Sequence, residues 1–180
     1  MVKLLTKEDL RRSKKDRNAF LTIPRNPIYV VLDSLKCAHN IGTILRLADS
    51  LLVTKVYLCG KTIIPPNWKI KVGSRGAERW VPWEYREDVL AVIQELKSSG
   101  IFIVSAELTN ESITYSELKC PFPACLVLGR EYDGVSEAVL NVSDAIVSLP
   151  LFGMSNSLNV STTASVILYE MLRQLHYGLQ

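Results

Sequence analysis

Apolar residues run nearly unbroken through five short stretches, at 28–33, 55–59, 101–105, 125–129 and 145–149. Runs of this length, rich in Val, Ile and Leu and bounded by turn residues, predict strands buried on both faces. Between them apolar residues return at helical spacing, over about 41–51, 87–98, 136–141 and 159–176. In the last segment Ala164, Ile167, Leu168, Met171, Leu172 and Leu175 share one face. The alternation predicts an α/β fold: a parallel sheet covered by helices on both faces. Residues 62–80 show no period and read as one long loop, with glycines, basic residues and Trp68 and Trp80, followed by Trp83. Such a loop faces a substrate, with aromatics on unpaired bases and cations on phosphates, or else its tryptophans pack on the domain or at a subunit contact. Ahead of the first strand, Thr6-Lys7-Glu8-Asp9 reads as a helix start, and the polar stretch to about Asn18 as a short solvated helix or an arm.

Three strand-to-loop-to-helix junctions carry the candidate chemistry. The last runs Val147-Ser148-Leu149-Pro150-Leu151-Phe152-Gly153-Met154-Ser155-Asn156-Ser157-Leu158-Asn159-Val160 and puts Ser157 and Asn159 where the final helix begins. Helix starts expose free N–H groups, so these residues either cap the helix or help to bind a ligand at the carboxyl ends of the strands. The first junction is Asn40-Ile41-Gly42-Thr43-Ile44-Leu45-Arg46, where Gly42 allows the turn from strand to helix. The second is Leu126-Val127-Leu128-Gly129-Arg130-Glu131-Tyr132-Asp133-Gly134-Val135, where Gly129 lets the backbone approach a ligand closely. No Gly-x-Gly-x-x-Gly occurs, which disfavours a Rossmann-type nucleotide site.

Read in order, Asn-x-Gly-x-x-x-Arg, Leu-Gly-x-Glu-x-x-Gly and Ser-Leu-Asn-Val-Ser-x-x-Ala resemble the three motifs of the SpoU (TrmH-type) RNA ribose methyltransferases of the SPOUT superfamily. The resemblance runs from about residue 28 to 175. It implies a C-terminal deep trefoil knot over about 120–176, a departure from the rule that chains do not thread themselves. It implies S-adenosylmethionine as cofactor, held around Leu128, Gly129, Leu149, Leu151, Ser157 and Leu158, and no metal. It implies a homodimer whose active site is built across two subunits. The catalytic set implied is Arg46, Asn40, Glu131, Ser157 and Asn159, with Arg46 activating the ribose hydroxyl. A guanidinium is ordinarily never deprotonated, so a fixed charge that contacts the target phosphate or the developing alkoxide is the better physical reading of Arg46. The proton then leaves to water or to a carboxylate, of which Glu131 is nearest within the motifs. Arg130 stands where the family most often has asparagine, and adds a cation for a phosphate.

Composition narrows the picture further. The chain has 180 residues, 48% hydrophobic and 22% charged, which fits one domain with a sizeable core and leaves no room for a second. A net charge of +3 conceals an asymmetry: residues 1–25 hold eight Lys/Arg against three Asp/Glu, so the remainder is net −2. The division expected is a basic arm over 1–25 and a SPOUT methyltransferase domain over 26–180. Lys7, Arg11, Arg12, Lys14 and Lys15 of the arm, with Arg75 and Arg130, are candidate RNA contacts; a solubilising tail is the other reading of the arm. Cys37, Cys59, Cys120 and Cys125 match no zinc spacing and read as reduced thiols in or near the core. His39 reads as structural, with a role as base the alternative. No apolar run is long enough for a membrane span and the N-terminus lacks a signal-peptide core, so a cytoplasmic protein is expected. The functional expectation is 2′-O-methylation of transfer RNA, guanosine favoured. Ribosomal RNA is the alternative substrate, and a non-catalytic RNA-binding protein of the same fold the alternative class.

Overall fold

A computed structural model describes residues 4–6, 8–9, 16, 20 and 22–177. Seven parallel strands form one sheet: β1 (Asn26–Asp33), β2 (Val53–Cys59), β3 (Trp83–Arg86), β4 (Phe102–Ala106), β5 (Ile113–Thr114), β6 (Ala124–Leu128) and β7 (Ala145–Ser148). Their order across the sheet is β3-β2-β1-β6-β4-β7-β5. The helices are α1 (Ala38–Ser50), α2 (Trp68–Ser74), α3 (Val89–Ser98), α4 (Glu137–Leu140) and α5 (Val160–Tyr177).

Side chains alternate across the pleat, so the sheet divides two cores. Val30, Leu32, Val56, Leu126 and Val104 face the side covered by α1 and α5, where Ile41, Ile44, Leu45, Ile167, Leu168 and Met171 are fully buried. Val31, Tyr57, Ile103 and Val127 face the side covered by α3 and α4 through Val92, Ile93, Leu96 and Val139. The expected sheet with helices on both faces is what the chain forms. Among the described residues no helix is long and apolar enough to cross a membrane.

Residues 62–80 are not one long loop. Asn67 caps α2 by accepting the amides of Lys69 at 2.9 Å and Ile70 at 3.3 Å, and a 3-10 turn follows at Ala77–Arg79. Two turns of helix are too short to show a period, but the cap was visible in Asn67. Two strands also lie outside the apolar runs: β3 is a polar edge strand and β5 has two residues. Gly42 does not make a turn. It lies inside α1, and a Cβ there would sit 2.4 Å from the Ile70 carbonyl and 2.9 Å from the Ser74 amide. Gly73 answers it from α2, its own Cβ position 2.8 Å from the His39 carbonyl, so the two helices cross backbone to backbone. In the arm, Thr6 and Asp9 bond reciprocally as a helix start, whereas Lys7, Arg11, Arg12, Lys14 and Lys15 lie outside the described residues.

Candidate active site

The carboxyl ends of β4, β6 and β7 stand level, Ala106 pairing with both Leu128 and Val147. Beyond them opens a cleft of about 410 Å³. Its lining includes all six residues expected around a cofactor: Leu128, Gly129, Leu149, Leu151, Ser157 and Leu158. Volume and mixed lining suit a nucleoside-sized ligand. Apolar walls come from the four leucines, polar groups from Ser157, Asn156, Glu107 and the backbone.

At one side of the cleft the three motifs close into a single hydrogen-bonded chain. Asn40, only 5% exposed, donates its Nδ2 to Glu131 Oε1 at 3.3 Å and accepts from Asn159 Nδ2 at 3.1 Å. Asn159 in turn accepts the Ser161 amide at 2.9 Å and the Ser161 hydroxyl at 2.7 Å, capping α5. The cap reading of Asn159 thus holds for its oxygen, while its nitrogen reaches the first motif. Such a chain, with each amide used on both sides, fixes side-chain orientations as isolated bonds do not.

Glu131 serves α1. Its Oε2 accepts the Lys36 amide at 3.1 Å and its Oε1 the Cys37 amide at 2.9 Å, the unpaired donors at the start of a helix whose own N-cap residue, Cys37, supplies no side-chain cap. Burial pushes the carboxyl pKa up, but the two backbone amides and Asn40 outweigh it, and the net effect lies below the ordinary value of 4.5. A carboxylate so held is a weaker proton acceptor than a free one. Stability from this cap is complete above the ordinary glutamate pKa and is lost as pH falls through the lowered folded value. Glu131→Gln, which keeps the shape and removes the charge, is expected to cost about 1 kcal/mol in urea unfolding at pH 7, and to flatten the stability profile on the acid side of pH 4.5. Equal profiles for the two proteins would remove the charge from the cap.

Arg130 to Gly134 form a closed loop, with Arg130 and Gly134 exchanging both backbone bonds at 3.0 Å and Arg130 Nη1 meeting Asp133 at 3.0 Å. The buried Nε of Arg130 has no hydrogen-bond partner among the described residues. Gly129 is required by this loop and not only by a ligand: a Cβ there would lie 2.1 Å from Gly134 C and Val135 N. Glu107, absent from the sequence expectations, holds the same loop by accepting the Val135 amide at 2.8 Å and filling the space beside Gly134, whose φ is +70°. The signal for it was a carboxylate placed just past the apolar run of β4.

Arg46 is exposed on α1, and it is not among the residues lining the cleft of its own chain. Arg75 is exposed at the end of α2. His39 is exposed, its carbonyl accepting the Thr43 hydroxyl. Cys59, Cys120 and Cys125 are buried free thiols and Cys37 an exposed one. Burial pushes Cys59 and Cys120 up to about 12 and Cys125 likewise upward, which makes them inert. Among the described residues no group of three or more His, Cys, Asp or Glu is placed to hold a metal ion.

A parallel α/β sheet with a nucleoside-sized cleft at its strand ends, closed by residues from three separated motifs, defines an α/β ligand-binding domain. Residues 27–169 match the family model described as the SpoU rRNA Methylase family, and the chain belongs to that family. It is 34% identical over 151 residues to a tRNA (guanosine(18)-2′-O)-methyltransferase of Aquifex aeolicus, covering 82% of this chain and 69% of the relative. It is 32% identical over 165 residues to a putative TrmH family tRNA/rRNA methyltransferase of Staphylococcus haemolyticus, covering 92% of this chain but only 64% of that longer protein. Among solved structures, the SpoU methyltransferase AviRb of Streptomyces viridochromogenes in complex with the cofactor AdoMet superposes with a TM-score of 0.76 at 25% identity, over 88% of this chain and 64% of that one.

Proposed function

We propose that this chain is an S-adenosylmethionine-dependent RNA methyltransferase acting on a ribose 2′-hydroxyl, with transfer RNA as substrate and guanosine as the favoured nucleotide. The observation that carries the proposal is the chain Glu131–Asn40–Asn159, which joins the three family motifs beside the cleft. The donor supplies an electrophilic methyl group on sulfur. Leu128, Gly129, Leu149, Leu151, Ser157 and Leu158, which line the cleft, would hold it, the leucines supplying apolar surface and Ser157 and the loop backbone polar groups. Asn40 and Asn159 fix the start of α5 against α1. Arg46 would stay charged and stabilise the developing oxyanion as the ribose oxygen takes the methyl group, the carbon–sulfur bond breaking to leave a neutral thioether and the proton passing to water. Arg130, whose side chain is part-exposed beside Asp133 at the rim of the cleft, takes a substrate phosphate.

Two further features belong to the same reading. Because Arg46 lies outside its own cleft, a homodimer in which one subunit's Arg46 completes the partner's site accounts for its position; the exposed Tyr169 and Tyr177 of α5 offer apolar surface for that contact. The trefoil knot over about 120–176 belongs to this reading through membership of the family, whose model matches residues 27–169. The staphylococcal relative's name keeps ribosomal RNA as the second substrate reading.

The test is nucleoside mass spectrometry on transfer RNA and ribosomal RNA incubated with the protein and methyl-labelled donor. Label is expected in 2′-O-methylguanosine of transfer RNA. Label on a base instead of ribose refutes the ribose assignment, label in ribosomal RNA alone selects the other substrate, and donor-independent RNA binding with no label leaves a binding protein.

A further inference from the structure

The tryptophans around α2 have separate fates. Trp83 donates its indole N–H to the Glu78 carbonyl at 3.0 Å, and Trp80 meets Phe20 edge-on at 6.3 Å between centroids. Trp68, in the first turn of α2, is 70% exposed. Val72, one turn further along the same face, is 54% exposed. An indole is among the costliest side chains to leave in water, so its exposure here calls for a partner. Its surroundings say which kind. Lys69 Nζ lies 5.5 Å from the Trp68 ring centroid, and Lys71, Arg75 and Arg79 are all exposed on the same short segment. The one acid of that segment, Glu78, is engaged by the Ser74 hydroxyl.

The inner side of α2 is fixed. Ile70 is fully buried and Gly73 crosses Gly42 of α1 with no room for a Cβ on either. The outer face is therefore held in a set position on the helix that carries Arg46.

We propose that the outer face of α2 docks an unpaired stretch of the substrate RNA, with Trp68 stacking on a base and Lys69, Lys71 and Arg75 meeting phosphates. This rests on the RNA methyltransferase reading above. A stacking platform ringed by cations is what single-stranded RNA requires, and a paired A-form helix hides the base faces that Trp68 would need. A second copy of this chain fits badly: a symmetric contact at this face would bring Lys69, Lys71 and Arg75 against themselves with no free acid on the segment to receive them.

The test compares binding of a transfer-RNA transcript and of a blunt RNA duplex of equal length, with donor affinity measured alongside. Trp68→Ala is expected to weaken transcript binding by roughly tenfold to a hundredfold. It should leave the salt slope, duplex binding and donor affinity unchanged, and Trp68→Phe should recover most of the lost affinity. Joint replacement of Lys69, Lys71 and Arg75 by alanine should instead reduce the slope of log affinity against log salt by about two. Unchanged transcript binding by Trp68→Ala overturns the proposal, while methyl transfer by the same variants leaves the enzyme reading intact. Conversion of Trp68→Ala to a smaller oligomer would make the face a subunit contact and overturn it equally. A wild-type protein that binds no RNA at all sinks both readings together.

Discussion

Arg46→Ala is expected to abolish methyl transfer while donor affinity and thermal stability stay at wild-type levels. The side chain is exposed on α1 and outside the donor cleft, so nothing in the core or the cofactor loops depends on it. Arg46→Lys separates two mechanisms. If Arg46 acts as a fixed charge, lysine keeps part of the activity but loses the planar fork, at a cost of about 2–3 kcal/mol or roughly a hundredfold in rate. If the guanidinium must take the proton, lysine overtakes arginine above about pH 10, where a neutral amine becomes available. The pH–rate profiles of the two proteins distinguish these. The dimer reading adds a second measurement. Mixed subunits carrying Arg46→Ala and Asn159→Ala, each inactive alone, should recover activity, because one composite site then has both wild-type residues. Failure of the mixture to recover, with dimers formed, would return Arg46 to its own subunit's site.

Gly129→Ala should eliminate donor binding and cost about 3 kcal/mol of stability, at the upper end of the effects of overpacking. The added methyl would meet Gly134 C and Val135 N at 2.1 Å and Gly134 O at 2.2 Å. These are backbone atoms, unable to swing aside as a side-chain end can. The loop cannot retreat cheaply either, because the Glu107 carboxylate pins the Val135 amide at 2.8 Å and fills the space next to Gly134. Calorimetry with the donor and thermal unfolding check both halves. Wild-type donor affinity in this variant would mean that the 130–134 loop has a second arrangement of nearly equal energy.

The strands and long helices were legible because each buries enough apolar surface to impress a period on the chain. The alternating burial of β1, with Val30 and Leu32 on one core and Val31 on the other, is the reason its sequence reads as unbroken apolar. α2 and β3 were not legible, since seven and four residues are too few for a period and tertiary contacts hold them. Gly42 and Gly129 stood out as glycines, yet the turn expected at Gly42 is helix interior, and the backbone packed against Gly129 was not foreseen. What each makes room for is backbone more than twenty residues away, or on the far side of a closed loop, and pattern carries no such distance. Glu131 was found and its partner missed for the same reason: the amides of Lys36 and Cys37 it holds are 95 and 94 positions away. The six residues expected around a cofactor share one cleft, because Leu128, Gly129 and Leu149 lie at strand ends, where open α/β sheets place ligands, and the chain from Leu149 to the start of α5 folds over them.

Glu131 belongs to the loop that borders the donor cleft, yet what it grips is the start of the helix that bears Arg46. The cleft and α1 are thus mechanically tied. Any preference of the donor for one setting of the 130–134 loop is transmitted to the pose of α1, and linkage makes the effect mutual. RNA engaged on α1 must then change the donor's dissociation constant by the same factor as the donor changes that of RNA. Weakening the carboxylate's grip would therefore reduce that mutual factor, leaving the Asn40–Asn159 bond as the remaining tie between α1 and the cleft.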